Sequence, residues 1–401
     1  MVEYWIWLQQ VLGFGSTALR NIISEYGNAY NFYNAPTEEK IKKAYLTKIQ
    51  ADKLNAVPRR VIKEIINECR STGIDIITPD DELYPKRLQE IPNPPAVLYV
   101  KGEMPNIDDE VVITMVGPRK PSDYGAEKAF ELSRSLTFSG CLILSGGAMG
   151  IDSASHFGAL SAGGKTVAVL GSGINSDYLK SNAKLRKKIS EQGCLISEYP
   201  PQYQASRYTF PQRNRLMSAL SLGVTVIEAP IKSGSLITAE YAAEQGKDVF
   251  VIPGSPDSNF YKGSNRLLRD GAKPLIEPMD ILEEYENDYP DKINLSKTAE
   301  TAEGLTLGRF IDKIFGRSDK PKEKKINIFS KITEKFTKSA DVSVLSADAQ
   351  KIYKTANEDF CADELVEPLG VSITEVQSAI MELELSGIVK SVPGGRYKIL
   401  K

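Results

Sequence analysis

The sequence predicts an α/β protein whose central domain, residues 106–285, is an extended Rossmann-like, doubly wound sheet. Short β-branched and apolar runs recur at residues 111–116, 141–144, 166–170, 194–197, 224–229 and 248–252. Such runs are typical of strands buried on both faces, and the helical stretches between them suit parallel crossovers. Nearly every run ends in Gly, Ser or a charged residue, as ligand-binding strand ends do. Periodicity alone leaves the strand order open.

Composition sets the broad class. The chain has 401 residues, 41% hydrophobic and 25% charged, which suits two or three domains of an ordinary soluble protein. Its net charge is −2, so a nucleic-acid contact would need a local basic face. Four scattered cysteines and one histidine leave little material for a zinc site or a catalytic triad. With no signal peptide or membrane-spanning run, we expect a reduced, cytoplasmic protein without membrane contact.

Residues 1–75 are expected to form a small helical domain of the SAM or helix-hairpin-helix type. Two helical patterns flank the turn Gly13-Phe-Gly15. The amides of such a turn can hold a DNA phosphate. In the alternative interpretation this is a docking domain whose glycines only close turns. A proline-rich connector, residues 76–105, leads into the core.

The C-terminal part is predicted to be a polar linker and a winged helix. Residues 286–345 are acidic, then Lys-rich, with one helix expected near 328–336. Residues 346–401 read as three helices and a β-hairpin. The third helix carries Glu375, Glu382 and Glu384 and no Lys or Arg, which disfavours a DNA major groove. We therefore expect a protein-contact or regulatory role here.

The turn Lys232-Ser-Gly-Ser235 is the clearest candidate for a phosphate contact. It lies between an apolar run and a helix that Ser233 or Ser235 can cap. Free amides at a helix start attract anions, and Lys232 adds a full charge. Nucleotide fingerprints nevertheless fail. Gly163-Gly-Lys-Thr166 lacks the first Walker glycine and runs from helix to strand, and the turn at 171–176 lacks the third dinucleotide glycine.

A second basic cluster is Arg213-Asn-Arg215. Arginines suit bidentate contacts with phosphates or base edges. The alternative is a structural ion pair with Glu198 or Glu228. We expect one of the two arginines to be structural and the other to contact the ligand. A mixed aromatic and basic group nearby suits stacked bases: Tyr199, Tyr203, Arg207 and Tyr208. The single histidine, His156, is expected to make a structural hydrogen bond.

Taken in order, these motifs resemble the DprA/Smf family of DNA-processing proteins. The matching motifs include Val116-Gly-Pro-Arg119, Ser145-Gly-Gly-Ala-Met-Gly-Ile-Asp152, Phe210-Pro-Gln-Arg-Asn-Arg215 and Lys232-Ser-Gly-Ser-Leu-Ile-Thr238. The resemblance implies a homodimer through the Rossmann domain that binds single-stranded DNA and loads the RecA recombinase during natural transformation, without catalysis. It also implies that Arg119 and Lys232 grip the DNA backbone.

The predicted DNA-binding residues are Gly117, Arg119, Gly147, Arg213, Asn214, Arg215, Lys232, Ser233, Gly234 and Ser235. No catalytic residue, metal or cofactor is predicted. The chain departs from the family pattern at Pro118, Met149 and Leu179, and in a longer linker.

Two other functions compete with this interpretation. The stretch Ser235-Leu-Ile-Thr-Ala-Glu240 resembles part of the Gly-Thr-x-x-Glu motif of nucleoside phosphate N-glycosidases, in which Glu240 would be a general acid or nucleophile. The Pro-Gly-Gly that precedes that motif is missing, and a helix-surface carboxylate is the simpler interpretation of Glu240. In the third view the winged helix reads DNA, and deleting residues 345–401 would test it.

Overall fold

The computed structural model describes residues 1–178, 182–300, 305–315, 346–356, 359–371, 373–385, 388–392 and 396–399. The chain divides into two compact units, Met1–Lys325 and Ile326–Lys401. No helix of the described ranges has both the length and the apolar character needed to cross a membrane.

The first unit begins with six helices and continues as alternating strands and helices. The helices are α1 (Val2–Leu12), α2 (Ala18–Tyr26), α3 (Ala29–Asn34), α4 (Thr37–Lys43), α5 (Lys48–Lys53), α6 (Arg59–Thr72), α7 (Lys86–Gln89), α8 (Asp123–Phe138), α9 (Ile151–Ser161), α10 (Ala183–Gln192), α11 (Thr209–Leu220), α12 (Gly234–Glu244), α13 (Lys262–Arg269), α14 (Met279–Tyr285) and α15 (Leu307–Phe315). The strands are β1 (Asp75–Ile77), β2 (Leu98–Gly102), β3 (Val112–Val116), β4 (Leu142–Ser145), β5 (Thr166–Leu170), β6 (Cys194–Ser197), β7 (Gly223–Val226), β8 (Asp248–Val251) and β9 (Lys273–Pro274).

These strands form one sheet in the order β1-β2-β6-β5-β4-β3-β7-β8-β9. The seven strands β6, β5, β4, β3, β7, β8 and β9 are neighbours in this order and run parallel. Where β3 pairs with β7, Val116 lies opposite Val226. From β3 the chain builds the sheet outward through β4, β5 and β6, then returns to the other side of β3 with β7. The prediction of a doubly wound sheet is confirmed, and its switch point lies between β3 and β7.

The connector 76–105 contributes to the sheet, a feature that was not predicted from the sequence. Strands β1 and β2 pair antiparallel, and β2 pairs antiparallel with β6. Leu88 and Val100 are buried in the central core. Arg87 donates to the carbonyl oxygens of Leu220, Asp108 and Glu110, at 3.1 Å each, so the connector is tied to the core by buried charge-assisted bonds.

The N-terminal helices dock on this core through polar bonds as well as apolar packing. Trp5 Nε1 donates to Asp80 Oδ2 at 2.6 Å, and Gln9 Nε2 donates to the Glu198 carbonyl at 2.9 Å. Tyr99 on β2 donates to Gln9 Oε1 at 3.0 Å. These contacts attach the helical domain to the core.

The segment 286–345 is only partly described, and its described start is not a free linker. Helix α15 buries Leu307, Phe310 and Ile311. The Phe310 ring lies 5.9 Å from Phe130 of α8 and 6.4 Å from Phe157 of α9. The apolar spacing of α15 therefore covers a core face that helices α8 and α9 share. The helix expected near 328–336 and the Lys-rich tract lie outside the described residues.

The second unit is a small winged helix, as predicted. It contains α16 (Ala347–Thr355), β10 (Asp359–Cys361), α17 (Asp363–Leu369), α18 (Ile373–Leu385), β11 (Val389–Val392) and β12 (Arg396–Ile399), with the strands in the order β10-β12-β11. Two acids of α18 are used internally. Glu382 accepts from the Ser346 amide at 2.8 Å, and Glu384 accepts from the Ser391 amide at 3.3 Å. The Glu375 side chain lies outside the described ones.

Candidate nucleic-acid interface

The site is built where β3 and β7 lie side by side and the chain leaves them in opposite directions. Open α/β sheets bind ligands in the crevice at such a point. The loop after β3 carries Arg119 and the loop after β7 carries Lys232, and both side chains are exposed. The fold therefore places the two predicted backbone contacts on the two loops that flank the switch point. We call the loops at the carboxyl ends of β3 to β8 the strand-end rim.

Arg119 is held by close packing between two loops. Ile151 at the start of α9 donates its amide to the Pro118 carbonyl at 3.3 Å. A Cβ at Gly150 would lie 2.3 Å from that carbonyl oxygen, and one at Gly117 would lie 2.4 Å from the Ile151 side chain. Gly150 also has φ 86°. Glycine is required at these places because any side chain would push the Arg119 loop outward.

The Arg119 guanidinium lies over an aromatic ring. Its Cζ is 5.0 Å from the centroid of Phe210, whose ring is 5.2 Å from that of Tyr178. Both aromatic side chains are partly exposed. Such a cation–π contact orients the guanidinium plane while leaving its outer edge free. Phe210 and Tyr178 were not among the residues predicted to contact DNA. The sequence indication for Phe210 was its position one helical turn before Arg213.

The turn Lys232-Ser-Gly-Ser235 starts α12 as predicted. Ser233 is the N-cap, and its hydroxyl accepts from the Ser235 amide at 3.4 Å. Asn214 Nδ2 donates to the Gly234 carbonyl at 3.3 Å and so ties α11 to this turn. Lys232 forms no ion pair within the described part of the chain. The turn thus presents a free cation beside a helix start, an arrangement that favours a phosphate.

The loop after β3 is anchored from below by Glu228. This buried carboxylate accepts from the Ser122 amide at 2.9 Å, from the Ser122 hydroxyl, and from the Tyr261 hydroxyl at 3.0 Å. Burial raises the pKa of Tyr261, and the neighbouring Glu228 carboxylate adds to the effect. Ser122 also caps α8 through the Gly125 amide. Glu228 therefore links the loops that follow β3, β7 and β8, a support that sequence reasoning did not find.

Arg213 lies beneath the rim rather than on it. Only 6% of it is exposed, and Nη1 donates to the carbonyl oxygens of Gly146, at 2.8 Å, and Val169. A Cβ at Gly146 would lie 2.3 Å from that nitrogen. Burial lowers the pKa of Arg213 and raises that of the neighbouring Asp152. Arg213 thus joins the ends of β4 and β5. Gly147, also predicted to contact DNA, is buried, and its carbonyl accepts from Asn182 at 3.1 Å.

Arg215 also lies away from the rim surface, so both arginines of the predicted cluster are buried. Its Nη2 lies 2.6 Å from Glu198 Oε1 and 2.5 Å from Oε2, and Arg215 is 1% exposed. A guanidinium in that position cannot reach a DNA strand. The prediction for Arg215 as a DNA contact is therefore corrected. The physical reason is that Glu198, at the carboxyl end of β6, faces α11 inside the protein.

The tyrosines expected to stack on bases divide into two groups. Tyr199 is fully buried and stacks on Tyr203, which is itself 41% exposed, with ring centroids 5.1 Å apart. Phe14 of the N-terminal hairpin packs on both rings, at 4.6 and 5.0 Å. This hairpin binds a core carboxylate, with the Gly15 amide 3.4 Å from Glu198 Oε1. Tyr208 is 64% exposed and lies 4.7 Å from the Arg207 guanidinium, so it stays available.

The groups considered for catalysis lie in structural or solvent-facing positions. His156 is fully buried, with Nδ1 2.8 Å from the Thr166 hydroxyl, which itself donates to the Ile143 carbonyl. The single hydroxyl proton is thus used, so Nδ1 carries the histidine proton. Burial lowers the pKa of His156 to about 3, and nearby Arg213 adds to the effect. Glu240 is exposed on α12. Within the described ranges no three acidic, Cys or His side chains cluster as metal ligands would.

Comparison with known proteins places this geometry in a family. The family model for DNA recombination-mediator protein A matches residues 75–286, and the model for the DprA winged helix domain matches residues 337–395. Protein Smf from Synechocystis is 31% identical over 98% of both chains. The chain belongs to the DprA/Smf family.

Solved structures of DprA proteins are also similar. The crystal structure of DprA from Streptococcus pneumoniae is 30% identical, covers 71% of this chain and 98% of its own, and has a TM-score of 0.64. The DprA of Helicobacter pylori, described with a single-stranded DNA binding mode, is 28% identical, covers 54% of this chain and 97% of its own, and has a TM-score of 0.49.

The departures from the DprA pattern can be located in two cases. Pro118 lacks a side-chain donor, yet its carbonyl still joins the β3 and β4 loops. Met149 is partly exposed in the β4 loop, between Ala148 and Gly150, so the rim has no extra cation there. Leu179 lies outside the described residues.

Proposed function

We propose that the protein binds single-stranded DNA along the strand-end rim and acts in DNA processing and recombination. The observation that carries the proposal is the position of two exposed cations, Arg119 and Lys232, on the two loops that flank the switch point. The net charge of −2 gives no general attraction for DNA, so affinity must come from such local groups.

Preference for a single strand follows from the aromatic residues beside the cations. Tyr208 is exposed, and Phe210 and Tyr178 are partly exposed. Bases of a single strand can stack on such rings, whereas duplex bases are stacked on each other. The Gly234 amide and the Ser233 hydroxyl would add donors to phosphates. The Ser233 and Ser235 amides already donate to the Pro230 carbonyl and the Ser233 hydroxyl. Arg213 and Gly147 support the rim from beneath.

The finer parts of the proposal rest on membership of the family. We propose that the protein is a cytoplasmic homodimer formed through the Rossmann domain, and that it loads RecA on the bound strand. Sedimentation of the purified chain would report the dimer. RecA filament assembly on strands coated by single-strand-binding protein would report loading. A monomer, or no gain in assembly rate, would remove these two parts and leave DNA binding intact.

We propose binding rather than catalysis. Glu240 is exposed on α12 and has no buried partner among the described residues that would make it an acid or nucleophile. Incubation with nucleoside monophosphates should release no free base. Turnover that Glu240→Gln abolishes would establish the N-glycosidase alternative instead.

The main test is a binding titration with the full chain. Fluorescence anisotropy should give tighter binding to a thymine oligonucleotide of about 40 nucleotides than to a duplex of equal length. Affinity should fall steeply between about 50 and 200 mM salt. Equal affinity for single strand and duplex would contradict the single-strand proposal. Removing residues 345–401 should leave single-strand binding nearly unchanged if the winged helix is not the DNA reader.

A further inference from the structure

Tyr45 has a strained backbone that its own packing does not explain. Its φ is 52°, and among the described residues it alone combines a side chain with a positive φ. It follows the C-cap Ala44, and the Leu46 amide donates to the Ile41 carbonyl at 3.2 Å. This is the Schellman ending of a helix, in which the residue at the place of Tyr45 is usually glycine. The Tyr45 side chain is 79% exposed, so the strain is not offset by burial.

The chain around Tyr45 is strongly basic. Residues 40–63 contain eight lysines and arginines against the single acid Asp52, a net charge of +7 in a chain of net charge −2. Lys43 and Arg60 pair with Glu39 and Glu64. Lys42, Lys48 and Lys53 are exposed and form no ion pair within the described residues. We call Lys42, Tyr45, Lys48, Ile49 and Lys53 the Tyr45 surface.

This surface is joined to the rim through the N-terminal hairpin. The Gln50 side chain of α5 donates to the Leu12 carbonyl and to the Ser16 hydroxyl, both at 3.0 Å. Phe14, between these residues, packs on Tyr199 and Tyr203. Helix α5 is thus fixed to the same hairpin that rests on the aromatic part of the rim. The two surfaces belong to one compact unit.

We infer that the Tyr45 surface is a second contact for single-stranded DNA that extends beyond the rim. The three free lysines neutralise phosphates, and the Tyr45 ring, held outward by its left-handed backbone, stacks on a base. The exposed side chain of Ile49, at 70%, adds apolar surface beside the ring. Apart from the exposed Asp52 on α5, the charges of residues 40–53 are positive, which complements a polyanion. The inference rests on the proposed function, because the strand must first occupy the rim.

The test separates the two surfaces by oligonucleotide length. Thymine oligonucleotides of about 10 nucleotides fill the rim alone, and those of about 40 nucleotides reach both surfaces. The triple variant Lys42→Gln/Lys48→Gln/Lys53→Gln should bind the short strand as the wild type does. On the long strand, its slope of log affinity against log salt should be smaller by about 2, since each neutralised phosphate contributes about 0.7. Tyr45→Gly should weaken the long strand only.

The control is a triple variant of equal charge change, Lys165→Gln/Lys188→Gln/Lys292→Gln, which should leave both slopes unchanged. Lys165 and Lys292 pair with Glu103 and Glu110 near the amino ends of strands, away from the rim. If the Tyr45-surface variant shows the wild-type slope of log affinity against log salt on the long strand, the inference is wrong. A protein partner would then explain the exposed basic surface. If the wild type binds neither strand, the proposed function itself fails.

Discussion

The Arg215 guanidinium and the Glu198 carboxylate form an ion pair in the interior, with Nη2 2.6 and 2.5 Å from the two carboxylate oxygens. Both residues are almost entirely buried, and Arg215 Nε and Nη1 have no partner among the described residues. The same carboxylate accepts the Gly15 amide of the N-terminal hairpin. The pair therefore joins α11, the end of β6 and the helical domain beneath the rim.

Breaking this pair should destabilise the fold strongly. Glu198→Ala leaves a buried, uncompensated guanidinium, and we expect a loss of about 3–5 kcal/mol in the free energy of unfolding. Urea denaturation followed by circular dichroism measures it. The exposed carboxylate provides the control, because Glu240→Ala should change stability by less than about 0.5 kcal/mol. A Glu198→Ala variant as stable as the wild type would contradict the burial of this ion pair.

Acid should destabilise the protein through His156. Its pKa is lowered from 6.5 to about 3 in the fold, so the unfolded chain binds a proton that the folded chain does not. The stabilisation is complete above pH 6.5 and is lost as pH falls towards 3, at up to about 1.4 kcal/mol per pH unit. Urea titrations at pH 7 and 5 should show this loss. His156→Asn keeps a donor to Thr166 and should reduce the loss, because His156 is the single histidine of the chain.

The Phe210 ring should contribute to DNA affinity together with Arg119. Phe210→Leu keeps an apolar group against Gly171 but removes the aromatic face, and we expect about 1 kcal/mol weaker binding, roughly fivefold. Because the ring orients the guanidinium, Phe210→Leu and Arg119→Ala should be non-additive in a double-mutant cycle. Strictly additive effects would mean that the 5.0 Å contact has no part in binding.

Tyr45→Gly should stabilise the fold. Relief of the left-handed backbone is worth about 1 kcal/mol, reduced by the greater freedom of glycine in the unfolded chain. The urea midpoint should rise slightly at unchanged slope. Tyr45→Ala keeps the positive φ without the ring and should show no such gain. A lower midpoint for Tyr45→Gly would indicate that the exposed ring packs on the protein.

The sequence predicts the parallel strands β3 to β8 well because each is a continuous apolar run that needs cover on both faces, whereas the two-residue edge strand β9 has no such run. It does not predict β1 and β2. These strands lie in a proline-rich connector, and their place at the sheet edge depends on pairing with β6, nearly a hundred residues away. Strand order was unreadable for the same reason, since it is decided by packing between distant segments.

The local geometry of the rim was predictable where turn chemistry decides it. Ser233 caps α12 and Lys232 is exposed, as the motif indicates. Arg215 differs, because only the fold brings it to Glu198. Tyr199 differs too, since Phe14, from another domain, packs on it and it is fully buried. Residue type and spacing cannot tell an aromatic ring that stacks on a base from one that stacks on a distant part of its own chain.

The most direct test of the account is the salt dependence of single-strand binding by Arg119→Ala/Lys232→Ala. With two phosphate contacts removed, the slope of log affinity against log salt should fall by about 1.4, and affinity at low salt by at least about tenfold. The control Lys165→Ala/Lys292→Ala, near the amino ends of the strands, should match the wild type. Unchanged binding by the Arg119/Lys232 variant would contradict the assignment of the rim as the DNA site.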